Sequence, residues 1–197
     1  MITLDLAALE PAVLVLDMQV AFVSPDGAFG NDAGPLIERL NRFLADCRSR
    51  GVPVVFSSYL LRADLRDAGL LRGNPAAAHF AESAPGASVD PRIERAEGDV
   101  DVHHHRPSAL FRSDLEAVLG GLDADALLLT GVSVNNAISS TARDAFARDL
   151  PVLVVKDLVG ATPWEPEALH ESYFATLATW TAEVADSADV LARLQAR

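Results

Sequence analysis

The sequence predicts an α/β protein: one domain, a three-layer α/β/α sandwich around a mainly parallel central sheet. Two observations predict it. Short continuous apolar runs recur along the chain, AVLVL (12–16), VPVVF (52–56), LLLT (127–130) and PVLVVK (151–156), as strands buried on both faces require. Stretches with apolar residues at helical spacing lie between them, and that alternation is the pattern of a parallel sheet covered on both sides. At 197 residues and half apolar, the chain is long enough for one well-buried domain and short for two.

Taken in order, Ala12 to Leu16 reads as a central strand with Asp17 at its C-terminal tip. Ligand crevices of open α/β sheets lie just beyond such tips, so this carboxylate is a functional candidate by position; the plain alternative is a cap or turn residue. Ser24 to Gly30 is a turn-rich loop. A helix follows over Pro35 to Arg50, with a stripe of Leu36, Leu40, Phe43, Leu44 and Cys47, closed by Gly51. Val52 to Phe56 is the second strand. Ser57 to Gly98 is long and weakly patterned, as functional connections often are. Val100 to Val102 reads as a strand edge running into His103-His104-His105, and period-2 alternation sets His104 opposite to its two neighbours. Helices are expected over Ser113–Leu122, Ala137–Arg148, Glu167–Thr179 and Ser187–Gln195, and strands at Leu127–Thr130, Pro151–Lys156 and Glu183–Val184. Gly131 is expected to break its strand before a sharp turn into a helix, where backbone N–H groups gather around a carbonyl or an oxyanion.

Composition excludes several functions. Sixteen basic against twenty-eight acidic residues give a net charge of −12, which disfavours a nucleic-acid surface or a polybasic membrane patch. No apolar run approaches the roughly 18–20 residues of a membrane span, and the first residues carry no signal-peptide pattern. Cys47 is the single cysteine, so an internal disulfide is impossible and a cytoplasmic setting is expected. Its place on an amphipathic stripe makes it a packing thiol. His103 and His105, which share a face, lack a third and fourth ligand nearby, so no metal and no other cofactor is expected.

TGVSVNNAISSTARDAF (130–146) and DMQVAF (17–22) together resemble the isochorismatase-like, or cysteine hydrolase, superfamily. Asp17, Gln19 and Phe22 keep the register of its first motif, and Thr130-Gly131-Val132, Asn135 and Ser140 to Phe146 that of its signature. HHHRPSALFRSDL (103–115) resembles a further motif through Arg106, Ser108, Ala109, Asp114 and Leu115. The resemblance implies a small-molecule site over the strand ends and a dimer or tetramer. It makes Asp17 the general acid or base and puts His104 where the family has a lysine. It also places Ala137 where the family has its cysteine nucleophile. Gln19, Phe22, Tyr59, Val132, Ser133, Asn136, Ala137 and Trp164 are the expected substrate-binding residues, with Trp164 alternatively at a subunit contact. Without a thiol the covalent amidase route is closed, which leaves three readings. Asp17 and His104 perform acid/base hydrolysis of a vinyl-ether type; or the chain binds a ligand or partner without turnover; or it is a recruited lyase, cyclase or isomerase.

Overall fold

The computed structural model describes residues 2–162 and 166–194. Six parallel strands are ordered β3-β2-β1-β4-β5-β6. They are β1 (Pro11–Leu16), β2 (Val54–Tyr59), β3 (Val100–His104), β4 (Ala126–Val132), β5 (Val152–Gly160) and β6 (Glu183–Ala185). The helices are α1 (Val20–Val23), α2 (Gly34–Ser49), α3 (Leu115–Gly121), α4 (Ser139–Phe146), α5 (Glu167–Trp180) and α6 (Ser187–Arg193).

Strand alternation divides the core into two layers. Val13, Val15, Val54, Phe56, Leu128, Leu153 and Val155 pack with Leu40, Phe43, Leu44 and Cys47 of α2 and Val190 of α6. Their neighbours Leu14, Leu16, Val55, Val102, Leu127, Leu129 and Val154 pack on the other face with Leu115 of α3, Ala142 and Ala145 of α4, and Phe174 and Leu177 of α5. Both faces of the central strands are therefore apolar, as their continuous apolar runs require.

The chain runs from β1 outward to β2 and β3, then crosses back to add β4, β5 and β6 on the other side. The reversal sits between β1 and β4, and the crevice beyond their C-terminal ends is the natural ligand position. Asp17 stands at one lip and the Val132–Ser133 junction at the other.

Several boundaries differ from the sequence expectation. Strand β2 begins at Val54 and continues through Ser57, Ser58 and Tyr59, because these residues pair with Val102, His103 and His104 of β3; their polar side chains hid the strand. The remainder of the long connection is organised by short 3₁₀ turns at Gly69–Gly73, Pro75–Phe80 and Pro85–Ala87. Helix α3 starts at Leu115, where Ser113 Oγ accepts from the Leu115 amide. Strand β5 extends to Gly160, since its second half rejoins β4 after a register shift.

Gly131 does not break β4, which continues to Val132. It has φ +106°, and a Cβ there would lie 2.0 Å from the Leu16 carbonyl oxygen. The glycine lets β4 approach the end of β1 that carries Asp17. Gly131→Ala is expected to destabilise the fold by about 3 kcal/mol through combined clash and backbone strain, measured as the shift of the urea midpoint.

Candidate active site

Asp17 ends β1 in the left-handed region, at φ 54°, a conformation an aspartate tolerates better than most residues. Its amide still donates to Ser57 O at 2.9 Å, while its carbonyl accepts from the Gln19 amide at 2.7 Å. The chain thus turns sharply at the strand tip while the carboxylate stays inside, 5% exposed. Gln19 supports the turn from below: Nε2 donates to Tyr59 O at 3.0 Å and Ala87 O at 2.6 Å, and Oε1 accepts from the Tyr59 amide at 2.9 Å. A buried amide with its donors and acceptor satisfied is a rigid strut.

Asp17 Oδ1 accepts from the Tyr59 amide at 2.9 Å and lies 2.9 Å from His104 Nε2. His104 is 1% exposed, and its Nδ1 lies 2.6 Å from the Arg106 carbonyl oxygen. A carbonyl can only accept, so Nδ1 carries a hydrogen. One proton then lies between Nε2 and Oδ1, held either as imidazolium–carboxylate or as imidazole–carboxylic acid. Burial opposes a charged His104, but the Asp17 charge and hydrogen bond and the Arg106 carbonyl outweigh it, so the His104 pKa is raised above the ordinary 6.5. Below the ordinary histidine value of 6.5 the proton therefore rests on the imidazole. Asp17 Oδ2 makes no hydrogen bond among the described residues.

The segment that carries Arg106 is clamped. Ser108 Oγ donates to Asp144 Oδ2 at 2.6 Å, and the Ala109 amide donates to Thr141 Oγ1 at 3.0 Å. Two residues of the α4 motif thus tie down the loop that fixes His104. Neither this clamp nor the Arg106 and Ala87 carbonyls figured among the expected site residues. Thr141, Asp144 and Ser108 were visible as motif letters without a role, and backbone carbonyls leave no side-chain signal.

Aromatic rings close over the pair. The Tyr59 ring meets His104 edge-on at 5.6 Å and Phe80 at 5.3 Å, and Phe22 stacks on Phe80 at 4.8 Å. Phe29 lies 5.4 Å from Phe22. Burial raises the Tyr59 phenol above its ordinary value.

At the other lip, Val132 and Ser133 are buried and joined by a cis peptide bond. The helix after β4 opens as a π-turn over Val134–Ile138 before α4 begins. Ser133 Oγ donates to Asn135 Oδ1 at 2.6 Å. Ala137 is 1% exposed and packs in the core layer with α4 and α5, whereas Asn136 faces solvent. Of the expected site residues, Asp17, Gln19, Tyr59 and His104 are joined directly, and Phe22 reaches them through Phe80. Val132, Ser133 and Ala137 lie along the β4 side, and Asn136 turns away. Trp164 lies outside the described residues.

His103 is exposed on the face of β3 opposite to His104, and His105, just past the strand, is partly buried. Burial and the Arg106 charge hold the His105 pKa below 6.5. Among the described residues no three His, Cys, Asp or Glu side chains converge as a metal-ligand group, and no helix is long and apolar enough to cross a membrane. Cys47 lies in the layer with α2, across the sheet from Ala137, and burial pushes its thiol up to about 12.

The isochorismatase domain profile matches residues 11–189. Among curated proteins, the ureidoacrylate amidohydrolase RutB of Methylobacterium radiotolerans is 27% identical, over 92% of this chain and 79% of its own length. The N-carbamoylsarcosine amidase of an Arthrobacter species is 26% identical, over 77% of this chain and 60% of that protein. Among solved structures, a cysteine hydrolase from Pseudomonas syringae pv. phaseolicola 1448A superposes with a TM-score of 0.89 at 25% identity, over 98% of this chain and 96% of that one. With the fold, the strand-tip aspartate and the α4 motif in place, the chain belongs to the isochorismatase family.

Proposed function

We propose that this protein hydrolyses a small metabolite by acid/base chemistry of Asp17 and His104, without a cysteine nucleophile. The observation that carries the reading is the Arg106 carbonyl oxygen 2.6 Å from His104 Nδ1, which leaves one proton to lie between Nε2 and Asp17 Oδ1. Oδ2, which makes no hydrogen bond among the described residues, is the oxygen left for a substrate or a water. For a vinyl ether, a proton taken up from solvent on Oδ2 passes to the alkene carbon, while the His104 Nε2–H holds Oδ1 in place. Water then traps the oxocarbenium ion, and collapse of the adduct gives a carbonyl product and an alcohol. That collapse returns the proton to the pair, so the only net reactant besides the ether is water.

The amidases among its relatives suggest a polar metabolite of similar size. Ala137, at the position the resemblance assigns to the nucleophile, offers no atom for a covalent acyl intermediate. Cys47, buried on the opposite face of the sheet with a raised pKa, supports the same reading. Assembly into a dimer or tetramer is part of it, supported by the exposed apolar side chains Phe146, Leu169 and Trp180. So is a cytoplasmic setting, supported by the lone reduced cysteine.

A second reading, a member that binds its ligand without turnover, is favoured by the closure of Tyr59, Phe22, Phe29 and Phe80 over the pair. The two readings part in one assay. Isochorismate, ureidoacrylate and N-carbamoylsarcosine are incubated with the protein before and after iodoacetamide treatment. Vinyl-ether cleavage unaffected by the alkylating agent is expected, as is absence of amide cleavage until Ala137→Cys is introduced. Ligand-induced thermal stabilisation with no product from any of the three would favour the second reading, and wild-type activity abolished by iodoacetamide would overturn the first.

A further inference from the structure

Strands β2 and β3 present a second face, opposite to His104. Ser58, Leu60, Asp101 and His103 alternate with the site-facing residues and line a cavity of about 470 Å³ between the sheet edge and the segment 82–95. That volume lies within the roughly 300–1,000 Å³ of small-molecule sites. Leu60, Val89 and Ile93 supply apolar wall. Ser58 is only 7% exposed, yet its hydroxyl makes no hydrogen bond with any described residue. This hydroxyl opens onto the cavity without a partner among the described residues, and is available to a ligand there.

The charges around the cavity select the ligand. Asp101 pairs with Arg95 at 2.7 Å, and Asp90 pairs with Arg92 at 2.9 Å. Glu82, the third carboxylate of the lining, has no cation among the described residues; one oxygen accepts from the Ala63 amide at 3.2 Å and the other makes no hydrogen bond with any described residue. The lining thus carries one uncompensated negative charge beside an apolar wall, with Ser58 and the exposed His103, Cα partners across β2 and β3, as polar anchors.

We propose that this cavity binds a small primary amine with an apolar body, its ammonium on Glu82 and its body against Leu60, Val89 and Ile93. Ser58 and His103 hold a hydrogen-bonding substituent where the amine carries one. The site is distinct from the Asp17–His104 pair, because it is built from the intervening residues of the same two strands.

The test is an amide NMR titration of the full chain with benzylamine, using benzyl alcohol and benzoate as uncharged and anionic controls. Saturable shifts at Ser58, Glu82, Val89 and His103 are expected for benzylamine. Affinity should fall about tenfold in Glu82→Gln, where a charge-assisted contact is removed, and stay unchanged in Asp17→Asn. Glu82 is exposed, so its replacement leaves the fold intact. Absence of saturable shifts, shifts confined to other residues, equal affinity for Glu82→Gln, or benzoate binding as tightly as benzylamine would each overturn the assignment.

Discussion

Asparagine in place of Asp17 is expected to lower turnover by about three orders of magnitude, the scale of a positioned acid/base group. Asparagine is isosteric and keeps an oxygen for the Tyr59 amide, which now donates to Asp17 Oδ1 at 2.9 Å, so the strand-tip turn survives. What is lost is the proton-holding carboxylate and with it the partner that charges His104. Circular dichroism and a thermal melt should show a folded protein, which separates a catalytic defect from a structural one. Activity within a factor of about three of wild type would remove Asp17 from the chemistry.

His104 is expected to set the alkaline limit of activity. Its raised pKa means that the imidazolium–carboxylate pair is complete below the ordinary histidine value of 6.5 and disappears as pH climbs through the raised folded value. Turnover should therefore fall on the alkaline side, and the stability that the pair contributes should fall over the same interval. Two replacements separate charge from proton transfer. His104→Gln removes both, and a loss of about 10²–10³-fold in turnover is expected, with the pH-dependent part of the melting curve flattened. His104→Lys restores a cation that does not titrate near neutrality. If the imidazolium serves as a fixed charge, the lysine variant keeps most of the activity and shifts the alkaline limb upward. If the proton itself moves through Nε2, the lysine variant is as poor as glutamine. Stability profiles of wild type and His104→Gln that run parallel across this range would contradict the assigned ion pair.

The strand and helix order was legible because β1, β4 and β5 announce themselves by continuous apolar runs, and α2 by its Leu40, Phe43, Leu44 and Cys47 stripe. The tail of β2 was not. Ser57 and Ser58 are polar residues in a buried strand, and only their pairing with β3 makes them strand. Gly131 read as punctuation, although its missing Cβ serves a close backbone approach within a continuing strand. At the site, Asp17 and His104 were found through position and motif register, and the 2.9 Å contact joins them across 87 residues of sequence. The feature that fixes the His104 hydrogen is a main-chain carbonyl, which any residue at position 106 would supply and no residue letter advertises. Phe29 and Phe80 complete the cover over Tyr59 from loops whose folding depends on long-range packing, so sequence periodicity gave no hint of them.

The most direct measurement is long-range ¹H–¹⁵N NMR of the imidazole nitrogens, following His104 through a pH titration in wild type and Asp17→Asn. A one-proton buried pair predicts both His104 nitrogens protonated at pH 6 and a wild-type midpoint above 6.5 that drops when the carboxylate is neutralised. A His104 that is neutral at pH 6, or a midpoint that does not move in Asp17→Asn, would contradict it.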